Sequence, residues 1–423
     1  MAKKGSEKTN PVRRFFSVLG PGLITGAADD DPSGIATYSI AGAQMGTAML
    51  WTALITWPFM GCVQFMCARI GMVTGMGLGH SLRRKSPRWL LLIGAIGLLI
   101  ANTINVGSDL SGMADVAEML SGLNSHIWVV IFGAGIAYAT VQFRYHQIAM
   151  VMKWLAAVLF AYVITAFIAR PDWGHVLRDT IIPSWPSNHA AWQNLVAILG
   201  TTISPYLFFW QASQEVEEEK AMGRRLLVQR EGATKKEIVN RKLDVGIGTF
   251  FSNFVMYFII LTTALTLHKH GTTNIGTSKE AAEALRPLAG NLAYLLYTVG
   301  LIGTGFLTIP TLAGSAAYAF AEIFRWRQGL DRSLRGAQHF YTVLISSILL
   351  GIALDFLNVN PVKALFWTAV INGVLAPFLL VGILLVASDR KLMKDQPSSW
   401  TSRIAVGVIT VAMFAAAAAM FLL

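Results

Sequence analysis

Eleven stretches of this 423-residue chain are apolar for long enough to cross a bilayer: about 18–48, 49–73, 89–118, 124–142, 149–169, 191–214, 244–268, 289–324, 340–358, 362–388 and 402–423. Roughly 20 helical residues cross about 30 Å of hydrocarbon. Backbone polar groups there must be satisfied within the chain. The pattern therefore predicts an all-α integral membrane protein of eleven transmembrane helices. Charged residues make up 13% of the chain, against about 25% in soluble domains. The longest polar connection, Glu215 to Lys242, is expected to form helix and loop, with no soluble domain anywhere.

Orientation follows from the basic residues. With the N-terminus in the cytoplasm, 28 of the 34 Lys and Arg residues fall on the inner side of alternate connections. That asymmetry is the positive-inside signature, and it accounts for the net charge of +11 without a nucleic-acid partner. The expected location is the cell membrane, multi-pass, with the C-terminus outside. Met1 to Arg14 lacks the graded pattern of a cleaved signal peptide, so the first span is expected to be retained. Cys62 and Cys67 are five residues apart in the second span, on different sides of a helix, and read as buried small hydrophobes.

Two spans are interrupted. The first carries Asp29-Asp30-Asp31-Pro32-Ser33-Gly34 in its middle, and the sixth carries Gly200-Thr201-Thr202-Ile203-Ser204-Pro205-Tyr206. Proline lacks a backbone donor and glycine permits unwound dihedrals, so both helices are expected to break and expose carbonyls. Interrupted helices at matching places in successive five-span halves point to an inverted-repeat transporter with a midplane site. The expected organisation is a tail (1–17), a first five-helix repeat (18–169), an extracellular connection (170–190), a second repeat (191–388), and a loop with an eleventh helix (389–423).

Charge inside a membrane is expensive and normally functional. The two breaks offer the Asp31 carboxylate, freed carbonyls from Ala28 to Asp30, the Ser204 and Tyr206 hydroxyls, and carbonyls near Thr201 or Thr202. These are hard oxygen donors of the kind preferred by magnesium, calcium and manganese. None of the 16 methionines lies in either break, and all eight histidines fall at span ends or in connections. Three adjacent aspartates cannot all reach one ion. Asp31 is best placed, whereas Asp29 and Asp30 are candidates to line a vestibule or to cap the second half-helix. Asp109, inside span three, reads either as a proton or ion relay or as a polar contact between helices. Asp244 is a further vestibule or relay candidate at the start of span seven. The acidic run Glu215, Glu217, Glu218 and Glu219 reads as a solvated helix end, or as a cation attractor at an inner mouth.

Gly20-Pro21-Gly22, Asp31-Pro32, Ala41-Gly42-Ala43, Ala68-Arg69-Ile70-Gly71-Met72-Val73-Thr74-Gly75 and Ala387-Ser388-Asp389-Arg390-Lys391-Leu392-Met393 together resemble the Nramp divalent-metal transporters, in family order over about residues 18–394. The resemblance implies a leucine-transporter-like (APC) fold, alternating access and divalent cation transport. Family members carry Asp-Pro-Gly-Asn and Met-Pro-His in the two breaks. Here the ligand aspartate matches Asp31, while Gly34, Ser204 and Tyr206 stand at the asparagine, methionine and histidine positions. In span three the family aspartate matches Asp109, and its acidic partner is replaced by Gly112. Loss of the thioether disfavours soft metals, and the pattern is similar to the Nramp-related magnesium transporters, whose site is wider.

The expectation is thus a secondary transporter, not an enzyme and without a resident cofactor. Its substrate would be a hard divalent cation, Mg2+ or Mn2+, moved without a proton, with the lipid bilayer as its surroundings and no obligate protein partner. The alternatives are a proton-coupled Mn2+ or Fe2+ transporter, and a small organic solute carrier or sensor on the same fold. No phosphate-binding Gly-x-x-x-x-Gly-Lys-Ser/Thr loop marks an ATP-driven pump.

Overall fold

The computed structural model describes residues 20–143, 147, 157–357 and 359–422, and every regular element among them is helical. In chain order these include α1 (Pro21–Asp29), α2 (Pro32–Met45), α3 (Leu50–Thr74), α4 (Leu78–Leu82), α5 (Arg88–Ser121), α6 (Ser125–Gln142), α7 (Phe160–Ile168), α8 (Trp173–Ile181), α9 (His189–Thr202) and α10 (Pro205–Ala221). There follow α11 (Leu227–Arg230), α12 (Lys235–Thr266), α13 (Ser278–Ala282), α14 (Arg286–Ala289), α15 (Ala293–Phe324), α16 (Gln338–Asp355), α17 (Pro361–Ser388) and α18 (Trp400–Leu422).

Nine helical runs among the described residues are long and apolar enough to cross a membrane. The difference from eleven has two sources. The first two expected spans merge into one 43-residue run, Pro32–Thr74, divided by a short turn whose Gly46 takes φ 59°. The fifth expected span, 149–169, lies partly outside the described residues. Both expected breaks are present. The long polar connection forms helix and loop as expected: α10 continues to Ala221, α12 starts at Lys235, and 222–234 lie between them. A capping box explains that early start: Thr234 Oγ1 accepts the Glu237 amide, and Glu237 returns a bond to the Thr234 amide at 2.8 Å.

The two breaks share one backbone form. After α1, Asp30 (φ −80°, ψ 55°) and Asp31 (φ −74°, ψ 168°) leave the helix, and Pro32 opens α2. After α9, Ile203 (φ −117°, ψ 59°) and Ser204 (φ −77°, ψ 132°) do the same, and Pro205 opens α10. Proline in the first turn lacks only a donor that would have no partner there anyway. Each proline therefore serves as a start signal for the second half-helix.

Glycines let α1 approach α12 closely. A Cβ on Gly26 would stand 2.3 Å from the Gly248 carbonyl oxygen, and one on Gly248 would stand 2.3 Å from that of Gly22. Small residues at such crossings allow backbone contact between membrane helices. Gly248→Val should therefore prevent α1 from docking. The expected outcome is loss of the monodisperse peak on detergent size-exclusion chromatography, whereas Gly246→Ala, where a Cβ meets nothing within 4 Å, should keep it.

Candidate metal centre

Asp31 is held by the helix it starts. As N-cap of α2, its Oδ1 accepts the Gly34 amide at 2.5 Å, and Asn105 Nδ2 donates to its Oδ2 at 3.4 Å. The capping role expected of Asp29 or Asp30 thus belongs to Asp31, because the residue just before Pro32 is the one whose extended backbone reaches N3. Asp29 and Asp30 turn instead toward α12, where Ser252 Oγ donates to Asp29 Oδ2 at 2.6 Å and to Asp30 Oδ1 at 3.4 Å.

Gly34 marks where the breaks meet. A Cβ at this residue would lie 3.1 Å from Thr201 Oγ1, 3.2 Å from Asp31 Oδ1 and 3.3 Å from the Asp29 carbonyl oxygen. Oxygens of both interrupted helices therefore close in on the space beside Gly34, nearer than a Cβ ordinarily meets. Thr201 contributes its hydroxyl to this space, where a backbone carbonyl was expected.

The other expected donors are paired with one another. Tyr206 Oη donates to the Ala28 carbonyl at 3.0 Å. Ser204 Oγ donates to the Thr201 and Gly200 carbonyls at 2.6 and 2.9 Å, closing the free end of α9. A carbonyl or hydroxyl oxygen carries two lone pairs, so each acceptor keeps capacity for a cation. Asp29, Asp30, Asp31, Ser204 and Tyr206 are all at most 5% exposed.

Asp109 is fully buried, close to the Ser33 amide and the Asp31 carboxylate, and no well-formed hydrogen bond reaches either of its oxygens. Asp29 Oδ1 and Asn105 Oδ1 also lack donors. A buried polar atom left unpaired costs about 1–3 kcal/mol, more when charged. These carboxylate and amide oxygens are acceptors, the polarity that a cation would answer, while the Tyr38 hydroxyl near the aspartates is also without a well-formed hydrogen bond. Among the described residues no three His, Cys, Asp or Glu side chains converge as a metal cluster.

Asp244 has a different place from the one expected. It lies at the N-terminus of α1, accepting the Gly20, Gly22 and Leu23 amides at 2.8, 2.8 and 3.1 Å. Arg241 Nη1 donates to it at 2.5 Å. Arg241 also pairs with Glu215 at 2.8 Å and with Glu218. Asp244 is therefore an anchor for the first half-helix, with no oxygen turned to Asp31. The solvated reading of the acidic run fails for Glu215 and Glu219, which are 1% and 3% exposed, because Arg241 and Arg224 neutralise them.

Sequence reasoning missed Asn105, Ser252 and Ser33, whose hydroxyl donates to the Leu365 carbonyl at 2.7 Å and ties α2 to α17. Asn105 had a signal: it stands four residues before Asp109, on the same face of α5. Ser252 and Ser33 had none that distinguishes them from ordinary polar residues in a span.

Residues 22–423 match the family model described as "Natural resistance-associated macrophage protein-like". The chain is a member of the Nramp family. Similar proteins include the divalent metal cation transporter MntH of Caldanaerobacter subterraneus, 26% identical over 416 residues, covering 94% of this chain and 90% of that one. Another is the divalent metal cation transporter MntH of Mesorhizobium japonicum, 26% identical over 405 residues with 90% and 83% covered. In fold, this Nramp chain matches the Eremococcus coleocola manganese transporter with a TM-score of 0.77 at 15% identity, over 99% of this chain and 89% of that one. It also matches MhsT in complex with L-phenylalanine, with a TM-score of 0.56 at 15% identity over 95% and 97%. The architecture is that of a leucine-transporter-like multi-pass membrane protein.

In this Nramp protein the Arg241 network holds the helix ends below the candidate centre. Arg241→Gln would leave Glu215 and Asp244 buried without their counter-ion, at a cost of about 3–5 kcal/mol. A lower melting temperature in detergent is expected. Lys242→Gln, one residue on and outside the network, should leave it unchanged.

Proposed function

We propose that this protein is a secondary transporter that binds a hard divalent cation, Mg2+ or Mn2+, between the two interrupted helices and releases it by alternating access. The convergence of Thr201 Oγ1, Asp31 Oδ1 and the Asp29 carbonyl around Gly34 carries the reading. Oxygen donors of this kind are the ones that Mg2+ and Mn2+ prefer, and Mg2+ commonly keeps several of its waters beside them. Asp31 supplies the charge, while Ala28, Thr201, Ser204 and Tyr206 supply neutral oxygens. The similarity to proteins named as divalent metal cation transporters and to a manganese transporter supports the substrate class.

The proposed frame has two five-helix repeats, 18–169 and 191–388, with the basic face in the cytoplasm. On that face a cavity of about 270 Å3 lies between Gly20, Pro21 and Ile24 of the first half-helix and Trp210, Glu217 and Tyr318 of its neighbours. Trp210 stands one turn of α10 from Tyr206, which makes this cavity the inner approach to the site.

Proton coupling is a second reading, favoured by Asp109, a buried carboxylate beside Asp31 that no well-formed hydrogen bond reaches. In that reading Asp109 takes up the proton that accompanies the metal.

Proteoliposome uptake tests both. Asp31→Ala should lower Mg2+ and Mn2+ flux at least about tenfold, the effect of losing a charged partner worth about 1.5–3 kcal/mol; undiminished flux would remove Asp31 from the site. A pH-sensitive dye inside the vesicles separates the readings. Under the leading one metal enters without internal acidification. Acidification that disappears in Asp109→Asn would establish the coupled one.

A further inference from the structure

A second cavity, of about 1090 Å3, opens on the basic face between the ends of α3, α10 and α15 and the connections that follow α10 and α15. Small-molecule sites usually occupy roughly 300–1,000 Å3. Its wall carries six cations, Lys220, Arg225, Arg230, Arg325, Arg327 and Arg332, against three carboxylates, Glu217, Glu322 and Asp331.

Two of the three carboxylates are already engaged. Glu217 pairs with Lys220 at 2.7 Å. Glu322 accepts the Gly79 amide at 2.7 Å, the Ser213 hydroxyl at 2.9 Å and the Gln328 amide at 3.1 Å. Arg230 spends its donors on main-chain carbonyls, those of Gly75 at 3.3 Å and Arg225 at 2.7 Å. Among the described residues no carboxylate forms an ion pair with Arg225, Arg325, Arg327 or Arg332.

Like charges also crowd one edge. Burial, then the charges of Arg84, Arg325 and Arg83, push the His80 imidazole below its ordinary range. Topological bias explains why arginines lie on this face. It does not explain why four of them line one cavity whose acids are mostly taken. Guanidinium groups bind phosphate oxygens through paired N–H donors, and Trp326, stacked on Phe324 at 4.9 Å and against His339 at 5.0 Å, adds an aromatic wall.

We propose that this cavity binds an anion bearing a phosphate group, held by Arg225, Arg325, Arg327 and Arg332. A lipid headgroup and a dissolved polyphosphate present the same oxygens to these arginines. The site is separate from Asp31 and does not depend on the transport reading.

The test uses the full chain in phosphatidylcholine nanodiscs. One arm titrates inorganic pyrophosphate by calorimetry; the other replaces part of the lipid with phosphatidylglycerol and counts retained phosphatidylglycerol by native mass spectrometry. Saturable binding is expected in at least one arm, weakened at least tenfold in R325Q/R327Q and unchanged in R335Q, which removes an exposed arginine of the same face outside the cavity. The arm that responds identifies the source of the phosphate. Should the double variant lose its thermal transition, R225Q/R332Q reads the same loss from other residues of the wall. Binding in neither arm, binding that survives the cavity substitutions, or binding lost equally in R335Q would overturn the proposal.

Discussion

A continuous α-helix offers a cation nothing at mid-membrane, since every interior carbonyl is already bonded four residues on. The two proline-started breaks remove that restriction, and the other features of the candidate centre follow from them. Because Asp31 and Ser204 are extended, the preceding half-helices end in unbonded carbonyls and the following ones begin with unbonded amides. Asp31 consumes one of those amides through Gly34. The carbonyls of Ala28, Gly200 and Thr201 are each met by a hydroxyl from the opposite half-helix or the same turn. Burial of so many polar groups is tolerable because hydroxyls satisfy oxygens without using up both lone pairs.

Side-chain size then sets what the space can hold. At Gly34 three oxygens stand within 3.1–3.3 Å of where a Cβ would sit, so the missing side chain is what lets the two breaks come this close, and an asparagine there would push them apart. Ser204 places its hydroxyl against its own helix end, where a methionine would have to point a thioether elsewhere. For the proposed site this leaves oxygen donors alone, the kind that hard divalent cations prefer.

Local signals made the fold and both helix breaks legible in the sequence. Hydropathy marked the spans, and Asp-Pro and Ser-Pro inside apolar runs marked both breaks, because helix termination depends on adjacent residues. Partners more than two hundred residues apart left no such trace. Asp244 read as a relay candidate, yet its oxygens are taken by the amides of residues 20, 22 and 23 and by Arg241. Glu215 and Glu219 read as solvated, since four acids in five residues give no hint that arginines will cover two of them. The cap was expected of Asp29 or Asp30, and only the dihedrals show that it is the Asp31 carboxylate that faces the helix start.

The anchoring of α1 links the two ends of the machine. This nine-residue helix is about 13 Å long. One end supplies the Ala28 and Asp29 carbonyls to the candidate centre, and the other is clasped by Asp244. Asp244 is in turn charge-paired with Arg241, which also holds Glu215 and Glu218 on α10, the second half of the other broken helix. The two half-helices on the basic side therefore share one clasp. A rigid displacement of α1 that breaks the Asp244 contacts must also shift its carbonyls relative to Tyr206 and Thr201. Under the proposed alternating access, opening the basic side and loosening the oxygens around the candidate centre would then be one event, because a short helix cannot move at one end alone.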